Sequence, residues 1–250
     1  MISLFMTFSD PAGERRIRSD DLAAVAAMVG SIPEMTEGLL FTPLERSVDH
    51  PYKTDGSGPV LALQLRFPDL FASEVVLDRG GVLASLAAGG RLSSLTGLDV
   101  THQVMLTRSF PVDVAEHPEG TATPCSYLVH YPGPAEDMNA WNLHYLEHHP
   151  SIMRTFPNVR QIEIYTRIDW VDRLPSRRVE HMQRNKLVFD SPEALSHCAR
   201  LRRDQAYARG LHAVPTVLRR QQAFSDGDED GSAEEILENL ERNKIRARTH

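Results

Sequence analysis

The 250-residue chain is 41% hydrophobic and carries a formal net charge of −7 from dispersed acidic residues, so it can build a substantial core and lacks the basic footprint of a nucleic-acid-binding surface. Its two cysteines, Cys125 and Cys198, exclude a disulfide framework or cysteine-rich metal site and read as reduced core residues. No apolar run approaches the ~20 residues of a membrane span, and the N-terminus lacks the basic region and apolar run of a secretory signal, so a cytoplasmic protein with no membrane partner is expected.

Ile2 to Phe8 reads as a first strand, followed by a polar connection. Ser19 is expected to cap a helix reaching about Val29, with Asp20 and Asp21 in its first turn and Leu22, Val25, Ala26 and Val29 on its packing face. Gly38 to Pro43 makes a second strand, whereas ERSVDHPYKTDGSG is too polar and turn-rich for a regular element. Pro59 to Phe67 alternates as a third strand. A helix is expected within Phe71 to Ala88, its limits obscured by Gly80-Gly81 and Gly89-Gly90. Thr101 to Phe110 is a fourth strand, and PVDVAEHPEGTATP a linker.

The order then repeats. Cys125 to Tyr131 is a strand, Met138 to Phe156 a helix capped by Asp137, Val159 to Ile168 a strand and Val179 to Phe189 another. Ser191-Pro192-Glu193 opens a helix to about Ala206, and Thr216 to Phe224 supplies the last strand. Both halves follow β-α-β-β-α-β. The expected fold class is α+β: tandem ferredoxin-like modules forming an intramolecular dimeric α+β barrel around a cavity. Residues 1–114 form the first module, 115–124 a linker, 125–224 the second module and 225–250 an acidic accessory tail. Two separate small α+β domains are the alternative arrangement of the same elements.

The segments YLVHYPG, WNLHYLEHHPSIM and FPNVRQIEIY, with the later VEHMQRNKLVFDSPEAL, resemble the EthD-like group of the dimeric α+β barrel superfamily over Cys125 to Phe224. His148 of His148-His149-Pro150 matches the histidine of that group's His-x-Pro pattern, while the Asp20–Val29 helix has no counterpart to it. The resemblance implies modules paired around a cavity, usually as homodimers. Here the tandem halves can pair within one chain, leaving a homodimer through another surface open. Such families include cofactor-independent monooxygenases, lyases, isomerases, cyclases and noncatalytic proteins, so the scaffold does not choose the reaction.

Helical spacing collects Met138, Trp141, Tyr145, His148, Ile152 and Phe156 on one side, with His144 at its border. Pro150 is expected to kink or restart the helix. His148 is therefore expected to face inward as an acid/base, against the alternative of a satisfied core histidine. In the following strand Gln161, Glu163, Tyr165 and Arg167 alternate with Ile162, Ile164, Thr166 and Ile168. On a cavity-facing reading Glu163 holds a proton-transfer group, Tyr165 donates to a developing oxyanion and Arg167 neutralises it; otherwise the polar face is solvated. Trp141, Tyr145, His144, His130, His181 and the loop residue His50 are candidate substrate contacts.

No metal is expected. His144 and His148 have the spacing of two ligands on one helix, but Glu147 projects away and HYLEHH is not a zinc-protease signature. No phosphate-binding glycine motif is present, so no organic cofactor is expected either. The leading expectation is a cofactor-independent lyase or isomerase moving a proton on a small hydrophobic or aromatic oxygenated metabolite. The alternatives are a cofactor-independent monooxygenase and a noncatalytic small-molecule carrier or interaction protein.

Overall fold

The computed structural model describes residues 1–44, 58–90, 92–118, 124–207 and 217–225, the stretches 202–207 and 217–225 by backbone alone. His50 and its polar loop, residues 119–123 of the linker, and the acidic tail beyond Ser225 lie outside the described residues. The first half contains β1 (Ile2–Ser9), α1 (Ser19–Gly30), β2 (Glu37–Pro43), β3 (Leu61–Phe67), α2 (Leu70–Val75), α3 (Val82–Ala87) and β4 (Asp99–Phe110). The second contains β5 (Cys125–Tyr131), α4 (Met138–Arg154), β6 (Val159–Arg167), β7 (Arg177–Arg178), β8 (Gln183–Phe189), α5 (Pro192–Tyr207) and β9 (Val217–Ser225). Among the described residues no helix is long and apolar enough to cross a membrane.

Several local expectations hold. Asp137 caps α4 by accepting from Ala140 N at 2.9 Å, and Ser191 Oγ accepts from Ala194 N at the start of α5. Others change. Arg18 rather than Ser19 occupies the cap position of α1 and supplies no side-chain cap; Asp21 instead accepts from Ser94 N at 2.8 Å. The helix expected over 71–88 is split into α2 and α3, with Gly81 at the cap of the second. The strand expected from Val179 starts at Gln183, because Val179 N donates back to His102 O and leads into the turn after β7. α4 continues through Pro150 rather than restarting there.

The described strands form one nine-stranded sheet, in the order β1-β3-β2-β9-β5-β8-β6-β4-β7, with a further ladder between β1 and β4. This corrects the expected intramolecular barrel of two modules closed around a cavity to a sheet-based α+β fold of ferredoxin-like element order. Three ladders knit the halves together: β2 pairs with β9, and β4 pairs with both β6 and β7. The inner face is occupied by packed side chains, with Phe5, Tyr165 and Lys186 all fully buried.

On the outer face of the first half, Leu4, Met6, Leu61 and Leu63 pack with Val25 and Val29 of α1. Each such side chain contributes roughly 1.5–3 kcal/mol on burial. A Cβ at Gly38 would stand 2.9 Å from Val29 Cγ1, so the glycine lets α1 lie close on β2. In the second half Tyr145 and Met153 of α4 join Ile162, Ile164, Leu187 and Phe189 in a separate cluster.

Candidate functional site

Two residues per strand repeat places Glu163 and Tyr165 on one face of β6 and Ile162 and Ile164 on the other. The isoleucines pack with Tyr145, while Tyr165 packs inward with Phe5, Met105 and Leu128. The register lines up two inner rows across four strands. His130, Arg184, Tyr165 and Thr107 are successive cross-strand partners in the first; Leu128, Lys186, Glu163 and Ser109 are in the second.

The second row holds a buried ion network that reaches Arg66 of β3. Glu163 receives Arg66 Nη2 at 2.7 and 2.9 Å and lies 2.9 Å from Lys186 Nζ. Tyr165 donates its hydroxyl to Glu163 and accepts from Gln64 Nε2 at 3.0 Å. Lys186 also donates to Gln64 Oε1 at 3.0 Å. Burial opposes the charge on Glu163, but Lys186 and Arg66 outweigh it and hold the carboxyl below its ordinary range. Burial and Glu163 push the Tyr165 phenol well above its ordinary value. At Lys186 burial outweighs Glu163 and lowers the ammonium.

The first row is different. Arg184 is 5% exposed, yet among the described residues it has no carboxylate partner, and its Nε has no hydrogen-bond acceptor. Its guanidinium lies 4.8 Å over the Phe5 ring. Burial draws its value down to about 10. The half-buried His130 and His181 rings meet at 4.4 Å at the edge of this row. Burial, Arg184 and His130 together lower His181 to about 3, so its imidazole is neutral through the physiological range. His181 Nδ1 is buried with no hydrogen-bond partner. Gln103 Nε2 anchors the segment through His181 O at 2.8 Å. His181 lies ahead of β8, where its ring meets His130.

The α4 candidates stand on the opposite side of the sheet. Tyr145 is buried, accepts from Asn185 Nδ2 at 2.5 Å and shares a hydrogen bond with Tyr131 at 2.9 Å. Trp141 stacks near Tyr145 at 5.8 Å, and His149 lies parallel to it at 3.7 Å. Burial and the neighbouring His144 and His148 lower His149. The inward placement expected of His148 is corrected: it is exposed, donates Nδ1–H to His144 O at 2.8 Å and stacks on the exposed His144 ring. Ile152 is exposed as well. The buried residues of α4 are Tyr145, Pro150 and Met153, which shifts its packing stripe away from both. Arg167 is corrected in the same way. It ends its strand in solvent, 3.1 Å from Glu180. His148 therefore cannot share one site with Tyr165, because the sheet lies between them.

Sequence reading missed Arg184, Lys186, Gln64 and Arg66. The available signal was RNK inside a short strand: all seven residues of β8 are buried, so its charges need partners. Among the described residues no three His, Cys, Asp or Glu side chains converge on a metal position. A groove of about 460 Å³ beside Phe110, Val112 and His117 lies elsewhere, where Arg160 pairs with Asp190.

No family model and no curated protein matches the chain. Among solved structures, a chlorite dismutase mutant from Candidatus Nitrospira defluvii superposes with a TM-score of 0.49 at 16% identity, covering 96% of this chain and 94% of the other. An anthrone oxidase-like protein gives 0.47 at 8% identity, covering 91% and 94%. These likenesses concern fold, and nothing in them singles out the EthD-like group.

Proposed function

We propose that the protein is an enzyme moving a proton on a small hydrophobic or aromatic oxygenated metabolite, a lyase or isomerase working without metal or organic cofactor. The observation that carries this reading is Arg184, a buried cation with no carboxylate partner among the described residues, set in one row with His130 and Tyr165 and beside His181. Residues 1–114 and 125–224 serve as two modules, with β4 of the first and β5, β6 and β8 of the second carrying the row. A substrate approaches at the half-buried His130 and His181 rings, beside the buried Arg184. Neutral His181 takes a proton from a substrate carbon through Nδ1 and returns it to another carbon in an isomerisation or to the leaving group in an elimination, while the Arg184 guanidinium stabilises the oxyanion formed between the two steps in surroundings of low polarity. Tyr165 positions Arg184 by packing, since its hydroxyl is committed to Glu163 and Gln64.

The test is untargeted turnover of a metabolite extract by the purified protein in deuterated water, read by mass spectrometry. A product or substrate pool that gains deuterium with the wild type and not with Arg184→Gln supports proton transfer. Product that forms only with oxygen selects the monooxygenase reading instead. A ligand retained and returned unchanged, without deuterium, selects a carrier.

A further inference from the structure

On the other face of the sheet, away from the Arg184 row, β4 carries a histidine in a different setting. His102 stands opposite Met6 in the β1–β4 register and is 1% exposed. The segment following β6 folds across it. Trp170 meets the imidazole edge-on at 5.1 Å. Ser176 Oγ lies 2.9 Å from Nδ1, and Asp172 Oδ1 lies 3.5 Å from Nε2, an electrostatic contact longer than a hydrogen bond. One ring nitrogen thus meets a hydroxyl and the other faces a carboxylate.

The surroundings hold that order in place. Asp172, 7% exposed in its side chain, accepts from Leu174 N at 3.1 Å, and its second oxygen lies 3.3 Å from Arg178 Nη1. Arg178 in turn covers the Trp170 ring at 3.8 Å. β7 pairs with Thr101 and His102, and Val179 N donates to His102 O at 3.0 Å, so the segment is tied to β4 on both sides of Ser176's partner. With the ring proton on Nε2 facing Asp172, Nδ1 is left to accept from the serine hydroxyl, which is the tautomer that activates a nucleophile. Burial lowers His102 against the opposing pull of Asp172, which keeps the imidazole in its basic form. Ser176 is half-buried and therefore reachable, unlike the histidine behind it.

We propose that Ser176 is an activated nucleophile, with His102 as its base and Asp172 as a positioning residue, that accepts acyl groups from carboxylic esters. The Ser176 Oγ–acyl bond forms as the ester C–O bond breaks; the hydroxyl proton passes to His102 Nδ1 and then to the departing alkoxide. Water, deprotonated by the same nitrogen, then releases the acid and restores the serine. This activity is independent of the proton-transfer reading and uses none of its residues.

The experiment treats the full-length protein with a fluorophosphonate probe and maps the adduct by peptide mass spectrometry. The expected result is an adduct on Ser176, absent from Ser176→Ala and formed about 10²–10⁴-fold more slowly by His102→Gln. The charged groups facing His102 are Asp172 and Arg178, so Asp172→Asn should also slow labelling and displace its pH profile, which a purely structural aspartate would not do. No adduct at Ser176 in the wild type overturns the proposal. So does labelling of Ser176 at the same rate and with the same pH profile in Asp172→Asn, a readout that remains even if His102→Gln does not fold.

Discussion

Replacing Glu163 by Gln removes one negative charge from the inner network and keeps two polar atoms in nearly the same volume. Arg66 retains Glu37 at 2.5 Å, but Lys186, 0% exposed, loses its carboxylate and is left with neutral acceptors, Gln64 Oε1 at 3.0 Å among them. Breaking a buried pair from one side costs about 3–5 kcal/mol, because the remaining charge stays out of water. In a chain of this size that corresponds to roughly 6–20 °C in Tm. The assay is urea and thermal unfolding of the wild type, Glu163→Gln, Lys186→Met and the double variant. The double variant should be more stable than Glu163→Gln alone, since removing the second charge relieves the uncompensated cation. The pH dependence follows from the depressed carboxyl. Its contribution is present above the unfolded-state value and is lost as pH falls through the lower folded value, so Glu163→Gln should flatten the acid limb of stability. A single variant within about 1 kcal/mol of the wild type, with an unchanged acid limb, would falsify the network's role.

Three further outcomes are expected. His181→Gln should lower turnover by about 10²–10⁴-fold if His181 is the base, whereas the exposed His148→Gln should leave turnover unchanged and stability within about 0.5 kcal/mol; equal losses at both positions would refute the assignment. Because His181 is lowered to about 3, the unfolded chain takes up its proton first on acidification. Stability from this group is therefore full above its unfolded-state value and falls between that and about 3, and urea titrations of His181→Gln should lack this loss. Tyr145→Phe leaves Asn185 Nδ2 without its acceptor and should cost about 1–3 kcal/mol in unfolding, with no effect on fluorophosphonate labelling of Ser176.

The element order, the caps at Asp137 and Ser191 and the two faces of β6 were legible in the chain because each depends on neighbours within one turn or on a period of two. Alternation alone put Glu163 and Tyr165 together and away from Ile162 and Ile164. Helical periodicity likewise marked Trp141 and Tyr145, but it leaves the exact rotation of the helix undetermined. Contact with β6 and β8 turned Tyr145 and Met153 inward and left His148 and Ile152 in water. The sheet interior was also a tertiary decision. Arg184 meets His130 and Tyr165 through ladders between segments far apart in the chain, and Glu163 finds Arg66 at 97 residues' distance. The same holds for Ser176, whose partner His102 lies 74 residues away. Local sequence determines which residues share a face of a strand or helix. The register between distant strands decides which faces meet and which charges are paired.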